Sequence, residues 1–125
     1  MIRVFHCDDS IAYRRLVRAM LDTEPDIEIV GEAASHAETV AGVARTHPDV
    51  VLLDMVVGMP AEDHGAALAA AAPGARVLIL SGHPPERVAP DLRALAVGHV
   101  RKTTAFEELA GAIRAAAAAN STNVQ

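Results

Sequence analysis

Cysteine is nearly absent from this 125-residue chain, which contains only Cys7. A single cysteine excludes an internal disulfide and suits a reducing compartment, and we interpret Cys7 as a small apolar residue. Although 51% of the residues are apolar, no apolar run is long enough to span a membrane, and no secretion signal opens the chain. We therefore expect one cytoplasmic domain over residues 1–119 that makes no membrane contact, then a polar tail or the start of a linker at 120–125.

Positive charge is scarce as well. The net charge is −5, which argues against direct binding of nucleic acid. The basic residues are ten arginines and a single lysine, Lys102. Because lysine carries a compact charge on a flexible stem, Lys102 can be present for its chemistry. The alternative is that a composition rich in alanine and arginine leaves little lysine by chance.

Short apolar segments alternate with helical patterns along the chain. The segments predicted as strands are residues 2–7, 27–33, 49–54, 76–80 and 98–101. The third contains four apolar residues between Asp49 and Asp54, which is typical of a strand buried on both faces of a parallel sheet. The alternation predicts an α/β fold, a doubly wound five-stranded parallel sheet with helices on both faces.

Capping residues and prolines predict where the helices begin. Ser10 and Ser35 suit the N-caps of the first two helices. A third helix is expected over about residues 62–73, beginning near Glu62 or Asp63. A short fourth helix is expected over about residues 90–96, in a stretch rich in proline.

The apolar periodicity of each helix predicts the face that it buries. In the first helix, the predicted inner residues are Tyr13, Leu16, Val17, Met20 and Leu21. In the second they are Ala37, Val40, Ala41 and Ala44. In the last helix, capped by Thr103 or Thr104, they are Phe106, Leu109, Ala110 and Ile113. The arginines expected on the solvated side of the first helix are Arg14, Arg15 and Arg18.

Four of the predicted strands end in groups that can take part in chemistry. These groups are Asp8 and Asp9, Asp54, Ser81 and Lys102. In the strand order 2-1-3-4-5, the four carboxyl ends lie side by side along one edge of the sheet. Carboxylates, a hydroxyl and an ammonium in one cleft suit Mg²⁺ and phosphoryl transfer to a carboxylate. Taken alone, the acidic pair suits a solvated turn equally well, and Asp54 suits a turn cap.

Together, the acidic pair, the strand-final Asp54 and Ser81, and Lys102 before the last helix resemble the pattern of response-regulator receiver domains. The resemblance extends to about residue 117 and implies a flavodoxin-like fold that works in two-component signalling. It implies that Asp54 is the phosphoacceptor and that Lys102 pairs with the phosphoryl group. It also implies that the Ser81 hydroxyl moves onto that group in the active state.

The same resemblance implies a Mg²⁺ site. Asp9, Asp54 and the main-chain carbonyl of Val56 would hold the ion, and Asp8 would act mainly through water. The chain departs from the family in the loop that follows Asp54. Met59-Pro60 stands five and six positions after Asp54, where the family usually has this pair two residues earlier, so we expect a longer loop.

A second departure concerns the switch position, three residues before the lysine. This position is usually Tyr or Phe, and here it is His99. His99 is either a switch residue, whose charge can change near neutral pH, or an exposed residue with no switching role. His83, two residues after Ser81, is interpreted as part of a solvated loop.

Partners and competing functions follow from the resemblance. The phosphoryl donor would be a phosphohistidine on a sensor histidine kinase or a phosphotransfer protein. The output would be a downstream protein target or a fused output domain, and phosphorylation could produce a homodimer. The main alternative is a receiver-like protein-binding module that is not phosphorylated. An aspartyl-phosphate phosphohydrolase is disfavoured because its acid/base Asp is replaced by Val56, so we expect no turnover of a separate substrate.

Overall fold

The strands of the sheet are β1 Ile2–Cys7, β2 Ile27–Ala33, β3 Val50–Asp54, β4 Arg76–Ser81 and β5 Gly98–Arg101. The helices are α1 Ile11–Leu21, α2 His36–Thr46, α3 His64–Ala71 and α4 Phe106–Thr122. This computed structural model describes residues 1–54, 64–82, 95–102 and 106–122. All neighbouring strands pair in parallel, in the order β2-β1-β3-β4-β5. The predicted strand order is therefore confirmed.

Helices cover both faces of the sheet because side chains alternate in direction along each strand. On one face, α2 and α3 pack against strand residues that include Phe5, Cys7, Val51, Leu53, Val77 and Ile79. On the other face, α1 and α4 pack against Val4, Ile27, Val50, Leu52, Leu78 and Leu80. β3 is buried along its whole length, which confirms the doubly wound arrangement. Within the described residues, no helix combines the length and the apolar character needed to cross a bilayer.

Both predicted N-caps are confirmed. The Ser10 hydroxyl accepts the backbone N–H of Tyr13 at 3.1 Å, and the Ser35 hydroxyl accepts that of Glu38 at 3.2 Å. Each bond satisfies a donor that the first turn of a helix leaves unpaired. α2 ends at Thr46, and the following residue, His47, adopts a left-handed conformation with φ of 49°. The Ser10 cap starts α1 immediately after the acidic pair.

The predicted inner face of α1 is only partly correct. Val17 and Leu21 are buried and Tyr13 is half-buried. Leu16 and Met20, however, are 46% and 36% exposed. α1 lies mainly over β2, the edge strand, while α4 covers the strands on the other side of β1. A helix at the sheet edge buries only a narrow stripe, so part of its apolar surface stays in contact with solvent.

The predicted inner face of α2 is correct only for Val40, which is half-buried and packs against the core. The buried residues are Thr39, Gly42 and Val43, while the alanines predicted to face inward, Ala37, Ala41 and Ala44, are exposed. Thr39 is tolerated inside because its hydroxyl donates to the Ser35 carbonyl at 2.8 Å. Gly42 is required inside because the ring of Phe5 occupies the space that a side chain would fill.

The C-terminal part of the chain agrees with the predicted core, and its helix extends into the residues predicted as a tail. Leu109, Ala110 and Ile113 are buried, and Phe106 packs against the same core. We expected the polar tail to start at Asn120, but α4 continues to Thr122. The alanine tract before residue 120 has the highest helix propensity and carries the helix onward. That residues 120–125 lead into a linker stays a prediction.

Several other predictions fall outside the described residues. These are the start of the third helix, the loop with Met59-Pro60, most of the short helix over 90–96, the caps Thr103 and Thr104, and the roles of Val56 and His83.

Candidate functional site

Asp54 ends β3 at the carboxyl edge of the sheet, where β1 and β4 lie on either side. Its side chain is 6% exposed, and Asp8, which directly follows β1, is 1% exposed. The Nζ atom of Lys102 lies 2.8 Å from Oδ2 of Asp8 and 3.0 Å from Oδ1 of Asp54. The only lysine of the chain therefore joins the two buried carboxylates.

The third carboxylate, that of Asp9, is exposed and completes the cluster. Asp8, Asp9 and Asp54 each offer an oxygen atom, and these atoms all lie within 4.8 Å of one another. Residues that are distant in the sequence thus meet at one point of the sheet edge. The structure brings together four of the predicted site residues, three carboxylates and one ammonium.

The electrostatics of the cluster follow from burial and from its excess of negative charge. Burial raises the pKa of Asp54, and the charges of Asp8 and Asp9 act in the same direction, while the hydrogen bond from Lys102 opposes them. For Lys102, burial lowers the pKa, but hydrogen bonds to Asp8 and Asp54 outweigh burial and raise it overall. Lys102 therefore remains charged at neutral pH, and the surroundings of Asp54 disfavour its charged form.

These residues fit a divalent cation. Three carboxylates face one ammonium, so negative charge is in excess there. A cation beside carboxylates favours their charged form. Hard oxygen ligands suit Mg²⁺, which needs only one or two carboxylates and keeps several waters. The individual ligands stay predictions. They are Asp9 and Asp54 as direct ligands, Val56 through its carbonyl, and Asp8 through water.

Hydrogen bonds from neighbouring elements hold the acidic pair in place. The backbone N–H of Ser10 donates to Oδ1 of Asp8 at 2.8 Å. Arg14 donates from Nη1 to the main-chain carbonyl of Asp8 at 2.6 Å, and its Nε lies 3.4 Å from a carboxylate oxygen of Glu32 on β2. The expectation that Arg14 lies on a solvated face is therefore wrong. Arg14 is three and seven residues before the buried Val17 and Leu21, and this spacing could have placed it on the inner stripe.

The contact between Lys102 and an aromatic ring was also missed. The Nζ atom of Lys102 lies 4.2 Å from the centroid of the Tyr13 ring. That ring meets the imidazole of His6 edge to face, with centroids 6.2 Å apart. His6 is fully buried, and burial lowers its pKa to about 4, so the imidazole is neutral. Sequence spacing placed Tyr13 on the inner face of α1 but gave no sign that it would meet Lys102.

The remaining predicted site residues lie at or near the same edge. Ser81 ends β4, is buried, and accepts the backbone N–H of Lys102 at its carbonyl at 2.9 Å. His99 lies in β5, half-buried, and pairs with Ile79. The switching roles of Ser81 and His99 stay predictions. Cys7 is buried, and burial raises its pKa to about 11, so its thiol is protonated.

Comparison with known proteins identifies the family. The sequence model described as "Response regulator receiver domain" matches residues 4–114. The chain belongs to this family. The receiver has the strand order and the clustered acidic residues described above, so the resemblance drawn from the sequence is confirmed.

Several relatives match almost all of the chain. The receiver is 34% identical over 118 residues to the transcriptional regulatory protein LiaR of Bacillus subtilis, covering 93% of this chain and 56% of LiaR. It is 35% identical over 119 residues to the DNA-binding transcriptional activator DevR/DosR of Mycobacterium tuberculosis, covering 91% of this chain and 54% of that protein. The signal receiver domain of the putative response regulator NarL from Mycobacterium tuberculosis superposes with a TM-score of 0.80 at 30% identity, covering 93% of this chain and 95% of that domain. The chain thus spans about half the length of the curated relatives it matches.

Proposed function

We propose that this receiver is a cytoplasmic signalling switch that accepts a phosphoryl group on Asp54 in the presence of Mg²⁺ and then changes its output face. The single observation that supports this most strongly is the bridge from the Lys102 ammonium to the Asp8 and Asp54 carboxylates, at 2.8 and 3.0 Å. Such a site can neutralise charge on a transferring phosphoryl group, which is most of what this reaction requires.

The residues of the chain have separate parts in the proposed reaction. A carboxylate oxygen of Asp54 attacks phosphorus in a phosphohistidine of the donor, the new O–P bond forms as the P–N bond breaks, and the imidazole leaves with a proton from solvent. Lys102 stays charged and stabilises the phosphoryl oxygens. Mg²⁺, held by Asp9, Asp54, the Val56 carbonyl and a water on Asp8, would neutralise further phosphoryl charge.

The output follows from a two-state rearrangement. After phosphorylation, the buried Ser81 hydroxyl would move onto the phosphoryl group, and His99 on β5 would take a second position. Both residues lie on the two strands beyond β3, so the face formed by the predicted short helix before β5, by β5 and by α4 would change. The matching partner would be a protein target or a fused output domain, and this face could also form a homodimer.

The partners are proposed from the family. The donor would be a sensor histidine kinase or a phosphotransfer protein. The relatives LiaR and DevR/DosR are named as transcriptional regulators, so transcriptional control is one output that a longer form of this protein could serve. We propose no turnover of a separate substrate by the receiver itself.

Intact-mass spectrometry tests the proposal. The chain is incubated with a small phosphodonor, with and without Mg²⁺, and Asp54→Asn and Asp9→Ala are treated in parallel. We expect one added phosphoryl group on the wild type with Mg²⁺, none on Asp54→Asn, and a strong reduction in Asp9→Ala. An unmodified wild type would favour the alternative, a receiver-like binding module that is not phosphorylated.

A further inference from the structure

The ammonium of Lys102 has a third neighbour besides the two carboxylates. Its Nζ atom lies 4.2 Å from the centroid of the Tyr13 ring. An ammonium at this distance is attracted by the negative face of the ring. The side chain of Lys102 is 23% exposed, so the ring also covers part of a group that would otherwise contact water. The ammonium is therefore enclosed by Asp8, Asp54 and an aromatic face.

Tyr13 is itself fixed from three directions. Its backbone N–H donates to the Ser10 cap at 3.1 Å, which fixes its position in the first turn of α1. Its ring packs against the core shared by α1 and α4. The ring also meets the imidazole of His6 edge to face, at an interplanar angle of 63°, and His6 is fully buried in β1. An aromatic surface held in this way can define the position of a flexible neighbour.

Lys102 is such a neighbour. A lysine side chain has four rotatable bonds and carries a point charge with no preferred direction. The Asp8 carboxylate, at 2.8 Å, competes with Asp54, at 3.0 Å, for the ammonium. A neighbour that restricts the stem would keep Nζ beside the residue that receives the phosphoryl group.

We propose that Tyr13 is a positioning residue, whose ring face confines the Lys102 ammonium beside Asp54 and thereby speeds phosphoryl transfer onto Asp54. The inference rests on the proposed function, because it concerns the rate of that reaction. It assigns the effect to the ring face and none to the Tyr13 hydroxyl. Correct placement of a charged group before the reaction is a recognised source of rate enhancement.

Two substitutions separate the ring from the hydroxyl. Tyr13→Phe keeps the ring face and removes the hydroxyl, whereas Tyr13→Leu removes the ring. With the whole chain at saturating Mg²⁺ and a small phosphodonor, we expect Tyr13→Leu to be phosphorylated about three to ten times more slowly, the range that the loss of one partly desolvated cation–π contact predicts. Tyr13→Phe should react at close to the wild-type rate. Tyr13→Met, an adaptable ring-free side chain, serves as a second variant if Tyr13→Leu does not fold.

A spectroscopic signal reports the contact directly. Because Lys102 is the only lysine in the chain, labelling with ¹³C,¹⁵N-lysine yields one side-chain ammonium and one set of lysine methylene protons in the NMR spectrum. We expect the ring current of an aromatic face to shift these protons upfield in the wild type and in Tyr13→Phe. The shift should vanish in the ring-free variants. A general loss of stability would not change this signal in a chain that is still folded.

The outcomes separate this inference from the proposed function. A wild type that accepts no phosphoryl group overturns both. A wild type that is phosphorylated while folded Tyr13→Leu or Tyr13→Met reacts equally fast overturns the positioning role alone. Slow reaction of Tyr13→Phe would also overturn it, since the hydroxyl would then be responsible.

Discussion

The contact between Phe5 and Gly42 allows a sharp test of how the core holds β1 under the site. A Cβ atom added at Gly42 would lie 2.3 Å from Cζ and 2.4 Å from Cε2 of the Phe5 ring. Carbon atoms in contact are normally about 3.5–4.0 Å apart. The ring also lies close to Gly31 of β2, where an added Cβ would come within 2.6 Å of its Cε2 atom, so the Gly31 backbone leaves the ring little room to move. Gly42→Ala should therefore strain the core.

The magnitude follows from two opposing effects. Forcing a methyl group into a packed core costs about 1–3 kcal/mol. Replacing glycine by alanine inside a helix gains about 0.8–1 kcal/mol. Because the clash is severe, we place the core strain near the top of its range and expect Gly42→Ala to lower the free energy of unfolding by roughly 1–2 kcal/mol.

A matched control comes from Gly111 in α4. A Cβ atom at Gly111 would meet nothing within 4 Å, so Gly111→Ala should raise the free energy of unfolding by up to about 1 kcal/mol. Urea unfolding measures both variants, with unchanged m-values as the check on the comparison. The double variant Phe5→Leu with Gly42→Ala should show a coupling energy of about 0.5–3 kcal/mol, because the smaller side chain removes the clash. If Gly42→Ala raises the free energy of unfolding as much as Gly111→Ala, the clash that we infer between a side chain at position 42 and the Phe5 ring is absent.

Further predictions concern the charged groups. Lys102→Met leaves the Asp8 and Asp54 carboxylates without their counter-charge, so urea unfolding at neutral pH should show a loss of about 1–3 kcal/mol, below the cost of breaking a fully buried pair because Lys102 is partly exposed. Asp54→Asn should raise the thermal midpoint in metal-free buffer at neutral pH, because burial raises the pKa of Asp54 and makes its charged form unfavourable. A hydrogen bond from Arg114 lowers the pKa of Asp26 from 3.8 to about 2. This contact should therefore stabilise the fold above pH 3.8 and cease to do so as the pH falls toward 2. Arg114→Gln should lower the stability only in the range where the contact contributes.

The pH dependence provides the controls. A carboxyl group whose pKa is raised in the folded state makes the fold less stable as the pH rises through that pKa. The advantage of Asp54→Asn over the wild type should therefore shrink as the pH falls and Asp54 becomes protonated. A thermal midpoint of Asp54→Asn below that of the wild type without metal, or an Arg114→Gln difference that does not change in acid, would contradict these assignments.

The sheet and the reactive cluster could be predicted because they depend on strong local signals. The four apolar residues of β3 are typical of a buried strand, and the polar groups at Asp8, Asp54 and Lys102 lie at strand ends or directly after them. Parallel strands in one sheet share a carboxyl edge, so these groups had to lie near one another once the strand order was known.

The buried faces of the helices were predicted less accurately than the sheet. In α2 the alanines at 37, 41 and 44 suit either side of the helix, so their apolar character did not determine which face was buried. The buried face was decided instead by a glycine facing the Phe5 ring and by Thr39, whose hydroxyl finds a carbonyl in its own helix. Both are contacts between side chains and neighbouring groups that periodicity does not encode.

The same limit applies to the residues that support the site from α1. Tyr13 contacts Lys102 and Arg14 contacts the Asp8 carbonyl across different elements. The sequence placed Tyr13 on the buried stripe of α1 and Arg14 on the solvated side, and it indicated neither contact. Contacts of this kind depend on the relative placement of helix and sheet, which no short motif specifies.

Chemical mapping of the phosphorylated residue tests the central claim most directly. After incubation with a small phosphodonor, borohydride reduces an aspartyl phosphate to homoserine, and peptide mass spectrometry then locates the altered residue. We predict homoserine at position 54, formed only when Mg²⁺ is present during phosphorylation. Homoserine in place of Asp8 or Asp9, or no altered peptide from a folded chain, would contradict the proposal that Asp54 is the phosphoacceptor.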